Sequence, residues 1–484
     1  LISWIWTRRL LAGWAGAEEA FDGNPRFLDQ IYAHQVYLDR LPSHGSSANN
    51  HLIAELAGRY AAACAFDWFA ESARWRREAG AALIREIRAQ TDSDGLNREL
   101  ATDYHGFVAE LVLAAAVEGT RIGDRRAETM HAGIASMLDA LAAVVDRSVH
   151  PPRQGDADDG YGYVFDGGWG HGGGHDRWKA LLALGDRLYE GLPWWPQTPG
   201  GEVSTALLSA ACGRVEIPAS TRPSVRTNLF SEAGVVLLRD LDDRVDEIWC
   251  RFDAGPHGFL SIAGHAHADA LSVELRIGGV DVLADPGTYT YQGDPAWRRY
   301  FISTRAHNVV EVAGVEQSTS EGAFLWTQSA SGRLLHASGL DGGAIAHAEA
   351  SHDGYLRLEP PVVHKREVEL NRSARTLQIT DWIMGGDQHD VHLRFHLGPS
   401  IEAVLSGDMA TLRWKGPEGD GYMEVVLPDA LEWRAERGET DPISGWYSPA
   451  FGAKRPATVL VGAGVGDGPP LVTVFRLKQP DDQG

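Results

Sequence analysis

Cysteine is nearly absent: Cys64, Cys212 and Cys250 are the only three in 484 residues, widely separated and without a C-x-x-C spacing. A disulfide framework and a cysteine-built zinc site are therefore not expected, and three buried or half-buried thiols are. Long apolar runs are missing too. No stretch approaches the ~20 residues of a membrane span, and the opening "LISWIWTRRLLAGWAG" is too interrupted by charge to serve as a secretory signal. No methionine starts the chain, which reads as a mature or trimmed product whose targeting segment is missing. Basic charge is the third shortage: 44 Lys plus Arg stand against 66 Asp plus Glu, a formal net charge of −22. Nucleic acids and anionic membranes are recognised through basic patches, so neither is an expected partner. A polyanionic substrate is still compatible with that balance, because Arg, His and Asn clustered in a cleft can outweigh the average.

What is present divides the chain in two. Its length suits two large domains with separate cores. From residue 1 to 222 the apolar residues recur at helical spacing: Ala79, Leu83, Ile84 and Ile87 in "AALIREIRAQ", and Tyr104, Phe107, Val108, Leu111 and Ala115 in "DYHGFVAELVLAAAVEG". Successive helices joined by short polar connections predict a stack or ring of helical hairpins. From 223 to 484 the period becomes two. In "LSVELRI", Leu271, Val273, Leu275 and Ile277 alternate with Ser272, Glu274 and Arg276, which predicts one dry face and one wet face. "VVHKREVEL", "TVLVGAGV" and "LVTVFRL" read the same way, so the second half is expected to be antiparallel stacked sheets.

Two segments carry chemistry. Residues 151–176, "PPRQGDADDGYGYVFDGGWGHGGGHD", hold Gly and Asp at a density that predicts a long functional loop. Its His171 and His175 look metal-like, but two solvated loop histidines are the commoner case. In "GHAHADALSVELRIGGVDVLADPGTYTY" (264–291), His265, His267 and Asp269 share the parity of Leu271 and Val273, so an early strand start would turn them to the protected side. Buried imidazoles and carboxylates are costly unless hydrogen-bonded or bound to metal. His267, Asp285 and His307 form a donor set that suits zinc; hydrogen-bonded core histidines are the alternative. A two-residue turn at Gly278–Gly279 pairs Ser272 with Asp285 and puts that aspartate on the wrong face, which a bulge or a longer turn corrects. H-x-H-x-D also occurs in metallo-β-lactamase-type hydrolases, but those follow the aspartate with histidine, where this chain has Ala270.

The motifs "NNHLIAELAG" (49–58), "DYHGF" (103–107), "GDADDG" (155–160), "FDAGPHGFLSIAGHAHADALS" (252–272), "LADPGTYTY" (283–291), "WRRYFISTRAHNVVEV" (297–312) and "GVEQS" (314–318) stand in this order. Together they resemble the heparinase II/III family of polysaccharide lyases, which also includes oligoalginate lyases. The resemblance spans about residues 1–330 and is densest at 250–318.

It implies an α+β multidomain chain, an incomplete (α/α) toroid followed by antiparallel β-sheets, with the first hairpins of the toroid missing. It implies a carbon–oxygen lyase that performs β-elimination at a uronic acid. Matched position by position, Asn50 and His51 hold the uronate carboxylate, Tyr104 and His265 are the catalytic phenol and imidazole, and His267, Asp285 and His307 bind one structural zinc ion. Ala266 stands where many relatives have glycine. Glu55, His105, Tyr289, Tyr291, Arg298 and Arg305 are further candidates for substrate contact. The resemblance places the protein in the periplasm or outside the cell, while the residues themselves leave the cytoplasm open. A homodimer is compatible with it.

The residue types suit that chemistry. Removing a proton beside a carboxylate places a second negative charge next to the first, so neutral donors must spread the developing charge. Tyr104 or His265 takes the C5 proton according to the side on which it projects, and a tyrosine near the leaving oxygen can return one. Each residue also has a plain structural alternative: Tyr104 packs in a helical stripe, and Asn50 caps a helix. Two other functions compete. A glycoside hydrolase needs paired carboxylates across a cleft, and no pair stands out among Glu55, Asp103, Asp156 and Asp158. An inactive glycan-binding protein has no need of Asn50, Tyr104 and His265 together.

Overall fold

The computed structural model describes residues 1–166, 176–242, 244–385, 389–417, 419–466 and 468–478. His171 and His175 lie outside the described residues. The chain forms two compact units, one of residues 1–99, 103–143 and 160–226, the other of 100–102, 144–159 and 227–484. The sequence rhythm changes near the last of these boundaries, but it carries no mark of 144–159, which belongs with the sheets.

The first unit is helical, with main helices Pro25–Arg40, Asn50–Ala65, Ser72–Gln90, Thr102–Arg121, Arg126–Val144, Arg177–Tyr189 and Val203–Cys212. Their starts follow capping chemistry. Asn24 accepts from the Arg26 amide with Pro25 at the first turn, Asn49 accepts from the His51 amide, and Asp176 accepts from the amides of Trp178 and Lys179. Thr102–Arg121 is buried on nearly every side, from Tyr104 to Gly119, as expected of a helix apolar all round. Gly106 gives Trp178 its space, since a Cβ there would lie 2.8 Å from the indole. Among the described residues no helix is long and apolar enough to cross a membrane. All three cysteines are free thiols, Cys64 and Cys250 buried and Cys212 half-buried.

The second unit is built from antiparallel sheets. Five strands run in chain order, Leu229–Phe230, Val235–Arg239, Ile248–Asp253, Val273–Ile277 and Val280–Leu283. An eight-stranded sheet has Leu471–Lys478 and Thr376–Met384 at its centre, and a four-stranded sheet pairs Asp390–His396 with Thr458–Val465 and Val310–Val312. Val236, Leu238, Cys250, Phe252, Val273, Leu275, Val368, Ile379, Phe395 and Phe475 share one apolar core. In the eight-stranded sheet burial alternates along Ile345–His352 and Val363–Asn371, the signature of one covered face.

The five-stranded sheet differs from its expectation. Val235–Arg239, Ile248–Asp253 and Val273–Ile277 are buried at every position, so the face read as wet is dry. Residues 144–159 cover it. The Trp249 indole donates to the Val144 carbonyl, Arg239 to that of Val145, and Arg276 to those of His150 and Pro151, while Glu274 accepts the Arg153 amide. Charged side chains on this face therefore serve as hydrogen-bond partners for an irregular strip of main chain.

Candidate functional site

The histidine stretch is not a strand. The strand begins only at Val273, and Ala263 and Leu271 have φ of +45° and +65°. His265 and His267 are instead held by a loop whose amides close on itself and its neighbours, Ala266 to the Ala263 carbonyl and Ala268 to that of Ile302. The expected correction for Asp285 is present as a β-bulge. Ile277 faces Val280 and Arg276 faces Asp281, but Leu275 faces Leu283, so the extra residue returns Asp285 to the side required.

That brings the three ligand candidates together. One donor atom from each of His267, Asp285 and His307 lies within 4.8 Å of the other two, all buried. His267 Nδ1 is 3.2 Å from His307 Nε2, which is 3.4 Å from Asp285 Oδ2. The opposite nitrogens are occupied: His267 Nε2 donates to Asp156 Oδ1 at 3.0 Å and His307 Nδ1 to the Ser303 carbonyl at 2.7 Å. In the neutral form that binds a metal, both rings would turn lone pairs, not protons, toward the Asp285 carboxylate. Three such atoms repel one another unless a positive charge lies among them, and an N, N, O set with outer hydrogen bonds fits zinc.

Asp156, weighed from the sequence only as a hydrolase carboxylate, has partners that motif reading missed. Its side chain is fully buried and accepts from His267, from His265 Nδ1 at 3.3 Å and from both terminal nitrogens of Arg298. Burial opposes its ionisation, but Arg298 and the two imidazoles outweigh that and hold its carboxyl well below the ordinary carboxylate range. Its amide also donates to the His265 carbonyl at 3.0 Å. Gly155 permits this approach, having φ of +66° and a Cβ direction that ends 2.8 Å from that carbonyl oxygen. The only sequence signal was the Gly–Asp density of "GDADDG".

Arg298, expected at the substrate, is buried and engaged with Asp156 and the Ala323 carbonyl. It is a counter-ion of the site. Tyr291 lies against His265, Phe324 and Phe451, with ring centroids at 6.4, 4.9 and 5.0 Å. Tyr289 has φ of +63°, and its hydroxyl is 2.8 Å from the Lys454 ammonium. Arg305 is half-buried and lends its carbonyl to His396.

In the helical unit, Asn50 is the first residue of its helix and is buried, while Asn49 does the capping. Glu99 fixes it twice, accepting from the Asn50 amide at 3.1 Å and from its Nδ2 at 2.9 Å. Two residues earlier, the Asn97 amide donates to His105 Nδ1. Residues 97–99 thus tie the start of the Asn50 helix to the turn carrying Tyr104, which is itself buried to 6% exposure. His105, expected to contact substrate, has both nitrogens engaged, the second with the Met137 carbonyl, and burial lowers its pKa to about 4. It is a packing residue. His51 is exposed, and Glu55 accepts from the amide and hydroxyl of Ser43.

Two family profiles match the chain: "Heparinase II/III N-terminus" over residues 24–154 and "Heparinase II/III-like, C-terminal" over 222–475. A heparin-sulfate lyase of Pedobacter heparinus is 23% identical over 292 residues, 59% of this chain and 39% of that protein. Among solved structures, a heparinase III gene product superposes with a TM-score of 0.67 at 19% identity, covering 94% of this chain and 64% of that one. The heparan sulfate lyase HepC of Pedobacter heparinus gives 0.64 at 17%, covering 94% and 63%. The chain thus spans less than two thirds of these relatives' length. At such identities the likeness shows the fold, a helical N-terminal region followed by antiparallel sheets.

Proposed function

This chain belongs to the heparinase II/III family, and from that premise and the geometry above we propose that it is a polysaccharide lyase. Its substrate is a uronic-acid-containing acidic polysaccharide, cleaved by β-elimination to leave a 4,5-unsaturated uronate. The observation that carries this reading is the buried Asp156, which engages His265 and the ligand-type His267 at once. A carboxylate in that position sets up an imidazole for proton transfer.

Asn50, fixed by Glu99, and His51 hold the uronate carboxylate through neutral donors and disperse charge as the C5 proton leaves. Tyr104 or His265 removes that proton, and Tyr104 protonates the departing C4 oxygen. The C4–O bond breaks as the C4–C5 double bond forms, and no water is added. His267, Asp285 and His307 would hold one zinc ion, which when bound neutralises their facing lone pairs and stiffens the loop beside His265.

A panel of uronate polymers incubated with the protein tests this. Ultraviolet absorbance from the conjugated product is expected with at least one of them. New reducing ends without that absorbance would instead support a hydrolase.

A further inference from the structure

Proton transfer by histidine depends on which ring nitrogen carries the hydrogen, and that is decided by the partner of the other nitrogen. An ionised carboxylate can only accept, so the contact between His265 Nδ1 and Asp156 Oδ2 at 3.3 Å requires the proton on Nδ1. The neutral ring then carries its lone pair on Nε2, the opposite of the form that histidine prefers in water. The same logic puts a hydrogen on His267 Nε2, which points to Asp156 Oδ1.

Asp156 is unusually well suited to impose both choices. Each of its oxygens takes one imidazole and one guanidinium nitrogen: Oδ1 receives His267 and Arg298 Nη1, and Oδ2 receives His265 and Arg298 Nη2. Arg298 is anchored in turn by the Ala323 carbonyl through Nε and Nη2, and its guanidinium lies 5.1 Å from the Tyr291 ring centroid and 5.4 Å from that of Phe324. The carboxylate therefore cannot rotate without breaking bonds on both oxygens, and the backbone bond from its amide to the His265 carbonyl fixes the distance.

We propose that Asp156 is the positioning residue of this site: with Arg298 behind it, it holds His265 in the Nδ1–H form and couples that ring to His267 of the ligand trio. The inference rests on the reading that His265 handles the substrate proton. An asparagine at 156 has nearly the same shape but one acceptor oxygen in place of two, and its amide hydrogens face donors.

The test has two arms. Long-range proton–nitrogen spectra of the unsubstituted protein labelled with nitrogen-15 histidine, with the His265 signals identified by their loss in His265→Ala, report the tautomer directly. A hydrogen on Nδ1 and a lone pair on Nε2 are expected; a hydrogen on Nε2 overturns the proposal. In the second arm Asp156→Asn is expected to lower kcat by about 100-fold or more while KM stays within about threefold. A folded variant whose kcat is within about threefold of the parent overturns it. If that variant loses its near-ultraviolet circular dichroism, the tautomer of the unsubstituted protein decides alone. A chain inactive on every uronate polymer contradicts the proposed function but leaves the tautomer result standing.

Discussion

Tyr104 differs from phenylalanine by a single hydroxyl, which makes Tyr104→Phe the sharpest substitution in the helical unit. The ring is buried, so its packing survives while the hydroxyl proposed to transfer the proton is lost. Initial rates are expected to fall by about 100-fold or more with unchanged far-ultraviolet circular dichroism; a rate near that of the parent contradicts the assignment. Glu99→Gln removes the charge that fixes Asn50. Loss of about 1–2 kcal/mol of stability and a higher KM are expected, read by denaturant titration and by kinetics. The grouping of His267, Asp285 and His307 was legible because those residue types sit in recognisable short motifs, the kind of motif that also nominates Asn50, Tyr104 and His265. The partners of Glu99 and Asp156 were not, although Asp156 lies in the motif "GDADDG". Their importance comes from partners 49 and 109 or more positions away, and neither lies in a periodic segment that says which way it faces. For His105 and Arg298 the converse holds: a polar residue in a motif looks free for substrate until its partners within the protein are seen.

Period and rhythm identified the elements, while their coverings escaped. The alternation in "LSVELRI" located the strand Val273–Ile277, yet only tertiary structure puts residues 144–159 over Glu274 and Arg276. Arg276 donates to the His150 and Pro151 carbonyls and pairs with Asp281. Arg276→Met takes its donors from the His150 and Pro151 carbonyls and its charge from Asp281 and Asp146, with an expected cost of about 3 kcal/mol and faster proteolysis within 144–159. Parent-like stability contradicts this. Helix burial has a measurable consequence with a definite sign. Burial lowers the pKa of His105 and of His131 from 6.5 to about 4. Between those values the unfolded chain binds protons that the folded chain refuses, so their contribution is complete above about pH 6.5 and is lost as pH falls toward about 4. Stability measured by denaturant titration should drop across that window, and less steeply in His131→Gln. A flat profile contradicts the buried, neutral state.

For the whole molecule, the net charge of −22 sets a field that opposes an acidic polymer at long range, whatever the local site provides. Raising ionic strength from about 10 mM to about 150 mM shortens the Debye length from about 30 Å to about 8 Å. The kcat/KM for an acidic polysaccharide is therefore expected to rise over that range, and a steady fall would mean that local cations steer the encounter instead. The two-part organisation was legible because helical and alternating periods do not mix; the exchange of 144–159 into the sheet unit leaves no such trace. The central claim is that the chain breaks a glycosidic linkage without adding water. Mass spectrometry of the products from one defined uronate-containing oligosaccharide tests it most directly. Elimination predicts product masses that sum to the mass of the parent; a sum exceeding the parent by one water molecule contradicts it.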